Sequence, residues 1–361
     1  MKILFLHGAI KNAGDFLIAE RSQSLLKSII PTADLIPLWE GSDRGTIKEY
    51  LPKVNGIVFG GGPFFTNNIY PNDIPLVENL RDIELPMLNI GGGWYGKDNS
   101  FETVKDYEIN TSSIELLKKI QNSSGCLSCR DWFTVNMLKE KGFNAMMHGC
   151  PAWYNLDCLY ENKLIIPNSI NKIAVSDNAS SRNYLNAKKI LIWLRNKYPK
   201  AIITYVLHRG YTANTSTESF KKLLKDNNIT CIDISGSCKG FSIYDDCDIH
   251  IGFRVHAHIY NLSRRKMTIL LEEDGRGAGV NQALGLPSIL VYNNKRYINN
   301  KLLNRIVNRI FPSRNKFILD ELWHYAERLY CTKGMEYNQA FERMILYYEQ
   351  MVKHIKQIEK W

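Results

Sequence analysis

Arg254 and His256 stand two residues apart in Ile251-Gly252-Phe253-Arg254-Val255-His256-Ala257-His258-Ile259, just after the acidic run Asp245, Asp246 and Asp248. A guanidinium is a permanent two-pronged anion clamp, and an imidazole exchanges protons near neutral pH. In an extended segment the two side chains point to one side. At the start of a helix they share the first turn, where free backbone amides also favour an anion. Either way the pair suits group transfer from a phosphorylated or carboxylated donor. Arg254 would hold the donor's anionic group and His256 would act as general acid. His258 reads as a satisfied structural histidine facing away.

Further candidates are weaker one by one. Arg209 closes an apolar run at His208-Arg209-Gly210, and Arg276 lies in Gly275-Arg276-Gly277-Ala278-Gly279 after the acidic Glu272-Glu273-Asp274. The second stretch reads as a glycine-rich turn leading into Val280–Leu284. It is an ordinary loop, a phosphate cradle of Arg276 with the Gly275 and Gly277 amides, or a set of carboxylates that grip a ribose or sugar. On the opposite side, Asn12, Gly14 and Asp15 open a helix. Asp15 either caps it or hydrogen-bonds acceptor hydroxyls. Gly60-Gly61-Gly62 and Gly91-Gly92-Gly93 end strands, either as plain turns or as places where a substrate nears the backbone, with Gly61, Gly62 and Gly92 the acceptor-side candidates. Arg130-Asp131 reads as a buried ion pair holding a strand–helix junction. Cys126-x-x-Cys129 lacks a second pair at zinc spacing, so no metal site and no cofactor are expected; Cys150 and Cys158 could join it only through tertiary contact.

These residues need rigid elements to hold them, and apolar runs supply them. Strands are predicted at Ile3–His7, Ala33–Ile36, Gly56–Phe59, Met87–Ile90, Cys126–Arg130 and Ala145–His148, with helices at Asp15–Ile30, Ser112–Gln121 and Asp131–Lys141. After a polar stretch at Glu161–Asn171 the pattern restarts. Strands are predicted at Lys172–Ser176, Ala201–Leu207, Thr230–Ile234, His250–Phe253, Met267–Glu272 and Ser288–Tyr292, with helices at Tyr184–Lys197 and Thr217–Asp226. Residues 318–361 read as helical. Strands that end in glycines and alternate with helices predict an α/β fold of two Rossmann-like, doubly wound domains facing a cleft, with a helical C-terminal tail. The expected domains are 1–165 on the acceptor side, 166–298 on the donor side, and 299–361 packing on both.

The 361 residues suit two domains, and 45% hydrophobic with 23% charged residues is ordinary for a globular protein. Met1–Leu6 reads as a buried strand, not a signal peptide, and no run is long enough to span a bilayer. The eight cysteines are scattered, which predicts a reduced, cytoplasmic protein. The net charge of +10 points to anionic partners such as phosphorylated metabolites, nucleotide sugars, lipid-linked phosphates or a membrane surface. No recognition motif supports nucleic-acid binding. Lys295, Arg296, Lys301, Arg305, Arg309, Arg314 and Lys316 interleave with apolar residues as a basic amphipathic helix over 295–316. The main expectation is a solvated face packing on the body, and the lesser one is peripheral membrane association. Nothing in the sequence specifies an oligomeric state.

Four motifs occur in one order: Asn12-Ala13-Gly14-Asp15, Gly60-Gly61-Gly62, Ser128-Cys129-Arg130-Asp131 and Gly252-Phe253-Arg254-Val255-His256-Ala257. Together they resemble the polysaccharide pyruvyl transferase family over residues 1–295. The resemblance implies the two-domain arrangement of type-B glycosyltransferases. It also implies transfer of a pyruvyl group from phosphoenolpyruvate to a sugar of a surface polysaccharide or its precursor, lipid-linked or nucleotide-linked, giving a pyruvate ketal and phosphate. Cys150-Pro151 stands where many members have Asp-Pro, and no lysine follows Arg-x-His in the manner of many members. The alternative is a nucleotide-sugar glycosyltransferase of the same architecture, with Glu272, Glu273 or Asp274 on the ribose. A scaffold protein of envelope assembly comes third, because it gives Arg-x-His no role.

Overall fold

The structure, a computed structural model, describes residues 1–96, 101–287, 289–291 and 318–361. The basic segment 295–316 lies outside the described residues. The first unit runs β1 (Lys2–His7), α1 (Ala13–Ile29), β2 (Asp34–Trp39), α2 (Arg44–Tyr50), β3 (Gly56–Phe59), β4 (Gly62–Phe65), β5 (Met87–Asn89), β6 (Gly92–Trp94), α3 (Phe101–Lys105), α4 (Thr111–Ser124), β7 (Leu127–Cys129), α5 (Trp132–Glu140) and β8 (Ala145–Met147). Its strands are parallel, in the orders β2-β1-β3-β5 and β4-β6-β7-β8. Ile3 to Leu6 are wholly buried, as parallel strands covered on both faces must be.

The two glycine triplets are not simple strand ends. β3 turns a corner at Gly60–Gly61 and resumes as β4, and β5 turns at Ile90–Gly91 and resumes as β6, with Gly62 paired to Gly92. Gly62 and Gly91 carry φ of +110° and +53°, open to glycine at little cost. A Cβ on Gly61 would lie 2.9 Å from the Ile90 carbonyl oxygen. Period-two reasoning missed β4 and β6 because the corners break each strand into pieces too short to show a pattern.

The second unit runs β9 (Lys172–Ser176), α6 (Tyr184–Lys197), β10 (Ile202–Leu207), α7 (Glu218–Asp226), β11 (Ile229–Asp233), β12 (Ile249–Gly252), α8 (Val255–Ser263), β13 (Met267–Glu272), α9 (Gly275–Leu284) and β14 (Ile289–Leu290). The six strands are parallel in the order β11-β10-β9-β12-β13-β14. That order reverses between β9 and β12, which is where doubly wound sheets bind ligands. The reading of residues 275–279 as a turn is corrected: they form the first turns of α9, capped by Asp274, whose side chain accepts from the Arg276 amide at 3.0 Å. Propensity argued against a helix there, but Gly277 and Gly279 are buried and let α9 lie close to Glu272 and Asp131.

The tail forms α10 (Ile318–Cys331) and α11 (Met335–Ile355), and α11 straps the units together. Tyr337 donates to the Thr268 carbonyl in β13, and Tyr347 donates to the Ala283 carbonyl in α9 at 3.1 Å. Farther along α11, His354 Nε2 meets the Asn89 carbonyl of β5 at 3.1 Å, and the Trp361 ring lies against Gly56 of β3. No helix among the described residues is long and apolar enough to cross a membrane.

Candidate active site

The C-terminal strand ends of the two units face one cleft, and the chemistry-bearing side chains stand on those ends. Asp15 follows β1, Glu40 follows β2, and Arg130 follows β7. From the second unit, Asp177 follows β9, Arg209 follows β10, Arg254 follows β12 and Arg276 follows β13. The units touch here: the Ala13 amide donates to the His208 carbonyl at 2.9 Å, and the Gly236 amide donates to the Lys11 carbonyl at 2.7 Å.

His256 is in the first turn of α8, so the helical reading of Arg-x-His holds. Its ring reaches across the cleft onto α1, and a Cβ on Gly14 would overlap the imidazole at Nδ1. Nε2 is buried and has no hydrogen-bond partner among the described residues. Burial, reinforced by Arg130, Arg276, Arg254 and Arg209, pushes the imidazole down to about 3. The ring is therefore neutral at neutral pH, in the field of those arginines. An anion bound among them would reverse the push.

The four arginines differ in freedom. Arg254 is not a free clamp: its Nε donates to Asp177 Oδ1 at 2.7 Å and its Nη2 to Oδ2 at 2.6 Å, both side chains being buried. Burial works against its charge, but Asp177 outweighs it and the net push is upward. A bidentate carboxylate occupies two of the prongs that the sequence reading gave to a donor. Arg276 pairs with Asp274 at 2.6 Å and stacks over the Tyr95 ring of the first unit at 5.0 Å. It thus spans the cleft mouth without being a free cation. Arg209 is exposed. Arg130 forms with Asp131 the buried ion pair at the strand–helix junction that the sequence predicts. It lies buried against Gly93, whose Cβ would overlap the guanidinium, and only 3.5 Å separates its Nε from Asp131 Oδ2. Yet Nε and Nη2 find no hydrogen-bond partner among the described residues. Asp131 spends its other oxygen capping α5 through the Thr134 amide at 2.8 Å. A buried guanidinium left this short of acceptors is suited to receive an anion.

Behind the pair, a polar chain fixes α8. His258 Nδ1 is 3.0 Å from Thr268 Oγ1, which is 2.7 Å from His250 Nδ1. His250 Nε2 is 2.9 Å from Ser176 Oγ, and that oxygen accepts the Arg254 amide at 3.1 Å. His258 is buried and held through Nδ1 by Thr268.

A cavity of about 60 Å³ opens on the first unit's side, lined by His7, Asp15, Glu40, Gly61, Gly62 and Phe64 among others. Burial raises the Asp15 carboxyl against the pull of the Asn12 hydrogen bond and of Arg209, Arg276 and Arg130. Asp15 therefore lies both in the cavity and in the field of the arginines. Burial and the nearby Asp15 and Asp73 push Glu40 up to about 7, which poises it for proton exchange near neutrality. Asn12 is the N-cap of α1, accepting from the Gly14 amide at 3.4 Å. Gly14 and Gly92 do not line the cavity: Gly14 lies against the His256 ring, and Gly92 is buried in the sheet against Phe65 and Phe64. Gly275 and Gly277 are likewise buried at the start of α9.

The three carboxylates offered to a ribose are engaged. The Asn281 amide donates to Glu272 at 2.6 Å, and Asp274 caps α9 and pairs with Arg276. Glu273 receives the Ala179 and Ser180 amides and Asn183. Asp177 and Glu40 were missed in the sequence. Their signal was position, since each follows an apolar strand at the end where open α/β sheets bind ligands.

Two parallel α/β units meeting across a cleft, with a C-terminal helix crossing back, define a type-B glycosyltransferase-like fold. The model of the polysaccharide pyruvyl transferase family matches residues 12–261, and the chain belongs to that family of transferases. Solved structures with this fold include MnaA of S. aureus in complex with UDP, at 11% identity and a TM-score of 0.57, covering 99% of this chain and 97% of that one. Another is the UDP-GlcNAc 2-epimerase of Neisseria meningitidis bound to UDP-GlcNAc, at 12% identity and a TM-score of 0.53, covering 100% and 99%. No curated protein sequence matches the chain at a significant level.

Proposed function

We propose that the protein transfers a pyruvyl group from phosphoenolpyruvate to two hydroxyls of a saccharide, releasing phosphate and leaving a ketal. The observation that carries this is the convergence of four guanidiniums on one neutral, unpaired imidazole opposite Asp15. Arg130, with Arg209 and Arg276 at the mouth, binds the donor's phosphate and carboxylate. Arg254, held by Asp177, contributes field and fixes the start of α8. Once the donor neutralises these charges, the His256 pKa rises and the ring takes up a proton. It delivers that proton to the methylene carbon, so that positive charge develops at the adjacent carbon bearing the phosphate. One acceptor hydroxyl adds there, phosphate departs, and the second hydroxyl closes the ketal. The two hydroxyl protons pass to Asp15 or Glu40 and to the departing phosphate. The acceptor occupies the cavity beside Asp15, and the fold's likeness to proteins solved with UDP and UDP-GlcNAc favours a nucleotide-linked saccharide.

The test is incubation with phosphoenolpyruvate and a panel of free, lipid-linked and nucleotide-linked saccharides, reading phosphate release and the ketal methyl resonance. Phosphate release matched by ketal is expected. Glycosyl transfer from a nucleotide sugar with no use of phosphoenolpyruvate would replace this reading with the glycosyltransferase one.

A further inference from the structure

Away from the cleft, beneath the end of α11, Cys126, His148 and His354 bring one ligand atom each to within 4.8 Å of one another. None of the three is more than 5% exposed. They come from three elements: Cys126 precedes β7, His148 follows β8, and His354 is in the last turn of α11. We propose that they bind a thiolate- and imidazole-seeking transition-metal ion, Zn(II) or Cu(I), that staples the C-terminal helix to the first unit.

The tautomer of His354 is fixed by its partner. Nε2 is 3.1 Å from the Asn89 carbonyl, which can only accept, so Nε2 carries the proton. Nδ1 therefore presents its lone pair, and it does so to Cys126 Sγ at 3.6 Å. Zinc–sulfur and zinc–nitrogen bonds of about 2.3 and 2.0 Å at a tetrahedral angle put those two atoms roughly 3.5 Å apart. That edge of the site is already at binding distance. The His148 ring lies 4.7 Å from the His354 ring, and its Nδ1 is 3.0 Å from Ser128 Oγ. A proton on Nδ1, donated to Ser128, leaves Nε2 as the ligand, and a small rotation of the ring closes the remaining gap. Ser128 and Asn89 are held in turn: Asn89 exchanges hydrogen bonds with the Ser128 backbone at 2.7 and 3.0 Å, and Ser128 Oγ accepts the Gly91 amide at 2.8 Å. Anchoring the far nitrogen of each ligating histidine on a fixed acceptor is how metal sites orient their ligands. On binding, the Cys126 thiol loses its proton to solvent and its sulfur bonds the metal.

Sequence spacing hid the site. Cys129, the other half of the Cys-x-x-Cys, points its thiol to the Leu127 carbonyl, and the ligands that replace it come from 22 and 228 residues away from Cys126, as the numbering shows.

The test uses the full chain, unfolded and refolded anaerobically with Zn(II), with Cu(I), or with Co(II) as a reporter. Bound metal is counted by mass spectrometry. One metal per chain is expected, with a thiolate-to-cobalt charge-transfer band in the near ultraviolet and a raised Tm in the metal-loaded protein. Cys126→Ser should abolish the band, and His354→Gln should lower the bound metal at least tenfold. Retention of zinc or of copper supports the site and tells which ion it takes. No bound metal in any arm, or an undiminished metal count in a folded Cys126→Ser, overturns it. If Cys126→Ser does not fold, the wild-type cobalt spectrum decides, and a spectrum without thiolate overturns the proposal.

Discussion

At the scale of single residues, the proposed function turns on His256, whose buried Nε2 has no hydrogen-bond partner among the described residues. His256 was legible because Arg-x-His is a dense local signal. We predict that His256→Gln abolishes turnover and leaves the Tm nearly unchanged, since Nε2 has no partner to lose among the described residues. His258→Ala should instead lower the Tm, because it breaks the Thr268–His250–Ser176 chain; equal loss of activity without loss of stability in His258→Ala would contradict this. Arg254 read as a clamp because its carboxylate, Asp177, is 77 residues away in sequence. Removing either member of that buried pair strands a charge, so Asp177→Ala should destabilise the fold by about 3–5 kcal/mol in denaturant titration. In the proposed function Arg130 is the principal donor ligand. A charge-assisted contact contributes about 1.5–3 kcal/mol, so Arg130→Ala should weaken phosphoenolpyruvate binding by roughly one to two orders of magnitude by calorimetry. Unchanged affinity would return Arg130 to a purely structural role.

Elements were legible where packing and propensity agree, and illegible where they conflict. Lys172–Ser176, Tyr184–Lys197 and Met267–Glu272 form the predicted strand, helix and strand with the same ends, because each is one unbroken apolar pattern. The α9 helix and the β4 and β6 strands were missed because close approach, not propensity, chose their glycines. The same close approach makes α1 and α8 a testable unit. Gly14 leaves room for the His256 ring, and a methyl group there would displace it. Gly14→Ala should therefore reduce kcat sharply while circular dichroism stays native, since alanine itself suits the first turn of a helix. Wild-type kcat in Gly14→Ala would mean that the ring is not seated against α1 during turnover.

Across the whole molecule, burial has been imposed on most of the histidines. His7, His148, His208, His250, His256, His258 and His354 are all pushed down, three of them to about 3 and one to about 4. Such groups bind fewer protons when folded, so their stabilisation is complete above about pH 6.5 and is lost as pH falls toward their folded values. Asp15, Glu40, Asp131 and Glu273 are pushed up and act oppositely, Glu40 and Glu273 between their folded value of about 7 and the usual carboxylate range. Seven histidines outweigh four carboxyls, so the Tm should fall as pH is lowered from about 7 to about 4; a flat or rising Tm would show that these rings are solvated. His256 alone among those histidines is lowered by four arginines at once, and the central claim is that a bound anionic donor reverses that push. It is tested most directly by titrating phosphoenolpyruvate calorimetrically at neutral pH in two buffers of different ionisation enthalpy. The account predicts binding accompanied by uptake of up to one proton in the wild type and no uptake in His256→Gln. Binding with no proton uptake, or no binding at all, would contradict it.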